Sequence, residues 1–414
     1  MGAGAEKSSG RSSGKATAAA AAKSAGPKHR PASELLSPAW MTRNISISPF
    51  GSGYWSFNPS VHHDPVDERW RCVFRCANYT LPGGVPKISP SARAGKTETR
   101  NAIAILDPAT LELSGLREIR ELDGAPRAPA CSSLGYEDMR IFRTKREGLL
   151  GIATALQLNL DHPSVPEMVL VRLDRQCDIV EAKPLRGPWS HRPQKNWSPF
   201  DGAEQPRFLY SIERGIVMGA QGPLAGPPPT NVSSPRPNTV VAAGPSRCGV
   251  EVRVTVNGQP RTSHPPTAPP APGSTELRGG SQLVRVDRNL WLGIAHEMKL
   301  LPPRRQKYYW HTIYAVDDDG RVVLRSPPMK LSPRHGIEFA AGLAVDGRGG
   351  VAISYGTDDH ESWIAVTCLD AIFRILAPVE QGEVAVGERR PMVSRGGDAT
   401  DRPTKATGTT GAGG

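Results

Sequence analysis

Apolar and polar residues alternate in short runs along most of this chain. From Arg69 to Tyr79 the apolar positions Trp70, Cys72, Phe74 and Cys76 fall on every second residue, the period of a strand with one buried face. Asn101–Asp107, Leu149–Leu156, Met168–Asp174, Arg207–Ile212, Trp291–Glu297, Tyr308–Val316, Ile337–Asp346 and Val351–Asp359 repeat the pattern, with turn residues between them. The spacing is one short strand every 8–12 residues or so, the rhythm of an all-β domain. Helical periodicity is nearly absent, and only Leu369–Leu376 reads as a helix or turn. The rhythm breaks at 222–275, where Gly226-Pro227-Pro228-Pro229 and His264-Pro265-Pro266 cannot build sheet ladders. That stretch reads as a mobile insertion, with Val250–Val256 the one strand expected inside it. Without it, 45–375 holds roughly 280 residues, about 55 for each of five units. This suits four-stranded propeller blades. A β-sandwich fits the periodicity as well.

Composition narrows the picture at the ends. Residues 1–40 are low in complexity, and 381–414 are again polar, so both read as disordered tails around a folded 41–380. Of the net charge of +11, +5 belongs to residues 1–31 and +1 to 381–414. The remaining core charge is unremarkable, and no basic helix or zinc-finger pattern points to nucleic acid. No apolar run is long enough to span a membrane. The basic, acid-poor N-terminus reads as plain disorder in a cytoplasmic protein, with an organelle transit peptide as the other reading. The six cysteines form no C-x-x-C pair and suggest buried thiols rather than a disulfide scaffold. No His, Asp and Cys set has metal-ligand spacing, and no cofactor is implied. Oligomeric state is left open.

Candidate chemistry gathers in a few polar motifs. Glu137-Asp138-Met139-Arg140 sets two acids and a base at the mouth of a strand. Strand alternation predicts that Glu137 and Asp138 face opposite ways, with Arg140 on the Asp138 side. An exposed acidic turn is the plainer reading. Lys195-Asn196-Trp197 offers a cation, an amide and an aromatic face, a set that suits sugars, although Trp197 can equally pack between sheets. His296 ends an apolar strand. Glu338 lies in an apolar run, where an unpaired carboxylate is costly, so it should face a channel or be paired. Asp358 and Asp359 form a turn or present a carboxylate to the same channel.

Five segments together carry a resemblance. They are Asn58-Pro59-Ser60 with Phe74-Arg75, Glu137-Asp138-Met139-Arg140, and Lys195-Asn196-Trp197-Ser198-Pro199-Phe200. Arg278-Gly279-Gly280-Ser281 with His296-Glu297, and Glu338-Phe339-Ala340-Ala341-Gly342 with Ser354–Asp359, complete the set. In this order the chain resembles the five-bladed β-propeller proteins of glycoside hydrolase family 130, mannoside phosphorylases and related hydrolases, as a divergent branch. The resemblance implies that Asp138 is the proton donor, with Met139 where the family has proline. It implies that Asn58, Arg75 and Asp359 line the pocket for the sugar at the cleaved bond, with Asn78, Glu137, Arg140, Asn196 and Trp197 around the substrate. Lys195 and His296 fall on the phosphate side, and inorganic phosphate is the implied co-substrate. Glu338 is the second catalytic candidate, the base if water attacks. The expected function is inverting phosphorolysis or hydrolysis of a mannoside-like glycan. Glycosyl transfer from a sugar phosphate, or a non-catalytic glycan-binding propeller, are the alternatives.

Overall fold

The computed structural model describes residues 30–82, 87–90, 97–122, 135–156, 158, 162, 164–186, 193–220, 250–256, 259–260, 277–301, 306–333 and 336–379. They form an all-β protein in which antiparallel meanders follow one another. The first sheet runs Trp55–Asp64, Arg69–Ala77, Thr99–Leu106 and Leu113–Glu118. The second runs Glu137–Thr144, Gly148–Ala155, Glu167–Leu173 and Ile179–Arg186. Ser198–Asp201, Arg207–Ser211, Ile216–Ala220 and Val250–Val256 make the third. The fourth is Leu283–Asp287, Leu290–Leu301, Gln306–Val316 and Val322–Arg325. In the fifth, Glu338–Val345, Gly350–Thr357 and Glu361–Cys368 are completed by Met41–Asn44 from the other end of the chain.

The first strand of each meander lies beside the first strand of the next, and Trp55–Asp64 also packs against Glu338–Val345 of the fifth sheet. Only short parallel pairings join these strands, Phe200–Asp201 with Leu283–Val284 and Thr144 with Ala203. Twisted neighbours splay apart, so side chains bridge what ladders cannot. Gln282 Nε2 donates to the Val61 carbonyl at 2.6 Å. Asp201 Oδ1 accepts from the Arg143 amide at 2.7 Å, while the Arg143 guanidinium reaches Asp64 at 2.7 Å. Where backbones come closest, only glycine fits. A Cβ on Gly342 would lie 2.3 Å from the Val61 nitrogen, and one on Gly356 would lie 2.3 Å from Asn58 Oδ1.

The sequence-derived boundaries need one correction. Residues 30–40, read as part of the tail, are folded: Ala32–Leu35 is a short helix, and Ala32 and Leu36 are fully buried with Ile294, Met329 and Ile372. Two apolar residues one helical turn apart are too brief a signal to stand out in an Ala/Ser-rich stretch. The expected strand Val250–Val256 pairs with Ile216–Ala220 over five positions. The rest of the expected insertion falls almost wholly outside the described residues, as do residues 1–29 and 381–414. The expected C-terminal helix is present as Leu369–Ile375. Among the described residues, no helix is long and apolar enough to cross a membrane.

Candidate active site

Bulges in the first strands build the site. Register breaks between Phe57 and Ser60 and between Glu137 and Arg140, as extra residues do in a β-bulge. Asn58 and Asp138 sit in these breaks with φ of +47° and +50°, and Asn196, Asp358 and Asp359 adopt +64°, +51° and +47°. Such left-handed backbone is uncommon outside glycine and is best tolerated by Asn and Asp. Its recurrence around one centre marks a place where the fold holds side chains at some conformational cost. The bulge also overturns the alternation expected at Glu137 and Asp138. Both carboxylates face Arg75, Glu137 Oε1 at 3.4 Å and Asp138 Oδ1 at 3.0 Å.

Asp138 is the centre of the cluster. Asn58 Nδ2 donates to its Oδ1 at 2.9 Å, beside the Arg75 contact. Arg75 is buried, lies over the Phe57 ring, and donates to the Tyr79 hydroxyl at 2.5 Å. Lys195 Nζ reaches Glu137 Oε2 at 3.4 Å and remains 48% exposed, while the Glu137 and Asp138 side chains are each 19% exposed. Burial works against the Asp138 charge, but the Arg75 guanidinium, the Asn58 hydrogen bond and Lys195 hold its carboxyl below the usual range. Asp359 goes the other way. Burial raises it to about 6, and the charges of Asp138 and Glu137 add to the rise against Arg75 and Lys307. Two carboxyls close enough to feel each other's charge are therefore set to different ionisation, one anionic and one readily protonated.

Other expected site residues are placed differently. Arg140 is fully buried behind the cluster. It donates to the Trp197 carbonyl at 2.6 Å and to Asn196 Oδ1 at 3.3 Å, so it touches neither carboxylate. Burial lowers its pKa to about 10, which leaves it a cation at neutral pH. Trp197 is no stacking platform, because its ring is 0% exposed and packs on Phe208 and Tyr210. Asn78 anchors a loop, its Oδ1 accepting from the Glu98 amide at 2.8 Å. His296 is 2% exposed among Tyr309, Phe339 and His311. Burial, with His311 and Arg278 nearby, holds its pKa well below the ordinary value, so it is a neutral imidazole. Its Nδ1 has no partner within the described chain. Met139 packs in the core beneath Gly151, so the departure from proline points away from the cluster.

Glu338 is the clearest correction. At 1% exposure it is sealed off. Its oxygens accept the backbone amides of Leu331 and Ser332 at 3.0 Å each, His311 Nδ1 lies 3.3 Å away and Lys330 Nζ 3.8 Å. His311 Nε2 accepts from the Ala340 amide at 3.2 Å, which puts the ring proton on Nδ1, facing Glu338. A buried carboxylate held by two backbone amides and an imidazole pins a loop.

Three residues in the neighbourhood were not singled out from sequence. Tyr79 holds Arg75. Tyr309, raised to about 12 by burial and the Asp359 charge, packs at a tilt against His296. Arg278 lies opposite His296 in register, and its charge acts on that imidazole. Arg278 belonged to a motif already noted. Tyr79 and Tyr309 sit in apolar runs where nothing local separates a site tyrosine from a core one.

No family model matches the chain, and no curated protein matches it. Solved structures do. One is a structure of the glycoside hydrolase family 130 of mannoside phosphorylases, described as containing hydrolases that target β-1,2 mannosidic linkages in Candida mannan. It is 13% identical, covers 83% of this chain and 94% of its own, and superposes with a TM-score of 0.50. In fold, the chain resembles family 130. A β-1,2-mannobiose phosphorylase from Listeria innocua (11% identity, 84% and 98% covered, TM-score 0.44) and a mannose phosphorylase from Leishmania mexicana (11%, 81% and 91%, 0.42) also match. At such identities the likeness is one of fold.

Proposed function

We propose that this protein is a five-bladed β-propeller that cleaves a glycosidic bond in a mannoside-like glycan with inversion, by phosphorolysis or hydrolysis. The observation that carries the proposal is the convergence of Glu137, Asp138 and Asn58 on one another and on Arg75 in a centre built on bulged first strands, with the Asp138 carboxyl held low and that of Asp359 raised. Neutral sugars need donors and acceptors at fixed positions, which Asn58, Arg75 and Glu137 supply, and bond cleavage needs a carboxyl that can carry a proton. The family 130 structure supports a mannoside as the substrate class.

Asp138 is the proton donor in this scheme, although it is ionised in the free protein. A substrate hydroxyl that takes over the Arg75 and Asn58 contacts removes what holds the proton off, and a bound sugar strips water from the carboxyl. Both changes raise its pKa. Asp359, protonated as pH falls through about 6, is the nearby source of that proton. The nucleophile attacks the anomeric carbon from the face opposite the departing oxygen, and that oxygen takes the Asp138 proton. Where phosphate attacks, Lys195 and Arg278 supply charge and His296 a hydrogen bond.

The test is product analysis with β-mannobiose in the presence and absence of phosphate. Mannose 1-phosphate formed only with phosphate supports phosphorolysis, and free mannose formed equally in both supports hydrolysis. Asp138→Asn should abolish turnover of mannobiose, yet retain it on an aryl mannoside whose leaving group needs no proton. Unchanged mannobiose turnover in that variant overturns the assignment. No turnover of any glycoside by the wild type overturns the enzymatic proposal.

A further inference from the structure

A second groove opens beside this centre and serves no role in the scheme above. Its larger half is a cavity of about 390 Å³ walled by Asn44, Ser46, Ser52, Tyr54, Trp55 and others. Its smaller half, about 310 Å³, lies against Thr80, Lys87 and Thr357. The linings of the two halves share His360 and Glu361, at the edge where the first and fifth sheets meet.

The groove is tied to the centre through two elements. Trp55 and Asn58 lie on the same strand, three residues apart, which is about 10 Å of extended chain. The turn Thr357–Glu361 carries Asp359 on the side of the Asp138 cluster, and the next two residues, His360 and Glu361, wall the groove. A ligand seated at Asn58 and Asp138 and longer than its reacting unit meets this groove next.

The lining selects for carbohydrate. The Trp55 ring is half-buried and tilts against His360 at 6.2 Å between centroids. Tyr54 is fixed by donating to Glu98 at 2.7 Å, which keeps its ring in place at the wall. Glu361 Oε2 is held by Thr357 Oγ1 at 3.0 Å and Trp363 Nε1 at 3.1 Å, so the carboxylate is a positioned acceptor and not a loose surface charge. Fixed aromatic faces for the C–H side of a sugar ring, alternating with hydroxyl and carboxylate groups for its oxygens, is the composition of a saccharide subsite. The charge is mixed, with His360, Lys87 and Glu361 together, which does not favour a polyanion.

We infer that the groove walled by Trp55, Ser52, His360 and Glu361 is a distal subsite that binds further sugar units of the glycan whose reacting bond lies at Asp138. This rests on the glycoside reading of the centre. The experiment compares β-1,2-linked mannobiose and mannohexaose as probes of the full-length protein, using wild type, Trp55→Ala, His360→Ala and Asp138→Asn. Both groove variants should weaken mannohexaose, in kcat/KM and in calorimetric Kd, by about tenfold. They should leave mannobiose and the Tm unchanged. His360 is exposed, so its variant remains informative even where loss of Trp55 perturbs the fold. Equal effects on both lengths, or on neither, overturn the subsite. Turnover of mannobiose with no gain in affinity for mannohexaose overturns it while the enzyme proposal stands. Trp55-dependent binding of mannohexaose by wild type and Asp138→Asn, with no turnover of any glycoside, supports the groove and overturns the enzyme proposal instead. No binding of either probe overturns both.

Discussion

Asp359 shows how a single residue can set function against stability. Its carboxyl titrates near 6 in the folded protein against 3.8 for an ordinary aspartate, because ionising it desolvates a charge beside Asp138 and Glu137. The folded state thus binds this proton more tightly than the unfolded chain. The stability it contributes is fully present below about pH 4 and is lost as pH rises through about 6. Asp359→Asn removes that penalty and keeps a residue type that tolerates a φ of +47°. We expect it to raise stability at pH 8 by about 1–2 kcal/mol, after discounting for the solvent at the mouth of the site, and by nothing at pH 4. Melting curves at the two pH values check this, and an equal shift at both would mean that the charge is not the cause. The same variant should abolish the fall in kcat/KM as pH rises through about 6. The residues of this centre were legible by name, since Asn58, Arg75, Asp138, Lys195 and Asp359 all stand in the quoted motifs. What sequence could not show was orientation. Period-two alternation assigns Glu137 and Asp138 to opposite faces, and only the bulge brings both to Arg75.

Among the elements, the strands were read well and their contacts poorly. Alternation locates Arg69–Ala77 or Glu338–Val345 because each has one or two buried faces, but it cannot say which strand lies beside which. Glu338 is the instructive failure. An acid in an apolar run must be paired or face a channel, and the sequence held no sign that the loop at 331–332 would return to supply two amides. Glu338→Gln should therefore act on stability, not chemistry. The amide has one acceptor oxygen where two are needed, which leaves a buried donor unpaired and costs about 1–3 kcal/mol. Melting temperature should fall while kcat per folded molecule holds. A lost kcat with an unchanged melting temperature would restore Glu338 to the reaction. Gly342→Ala tests the meeting of the first and fifth sheets. Its Cβ has backbone on one side, the Val61 nitrogen at 2.3 Å and Ser60 Cα at 2.9 Å, which no rotamer change relieves. A loss of about 1–3 kcal/mol is expected from overpacking, against no measurable loss for Gly347→Ala, where a Cβ meets nothing within 4 Å. Chemical denaturation of the two variants separates the outcomes.

On the scale of the molecule, the two ends of the folded chain share one sheet. Met41–Asn44 pairs antiparallel with Glu361–Cys368, from Met41 opposite Val366 to Asn44 opposite Trp363. The pairing runs on through the Ile45 amide, which donates to the Ser362 carbonyl at 2.8 Å, and Ser46 Oγ, which accepts from the Ser362 amide at 2.9 Å. Just before it, Ala32 and Leu36 bury themselves among residues of the fourth and fifth sheets. The N-terminal segment thus holds the last meander to the start of the chain, and the strand it covers begins at the turn that presents Asp359 and walls the groove. Removing residues 1–44 exposes the edge of Glu361–Cys368 and takes Leu36 from the core, the latter alone worth about 2–3 kcal/mol. With the lost ladder, the total should reach several kcal/mol and lower the melting temperature by about 10 °C or more. The turn Thr357–Glu361 should loosen with its strand, so affinity for mannohexaose should fall before the fold is lost. Removal of residues 1–29 alone is the control, and differential scanning calorimetry of the two truncations reads the difference. If both melt together with wild type, the first strand is an ornament on the edge of the fifth sheet, and the fold is held by the contacts among the first strands alone.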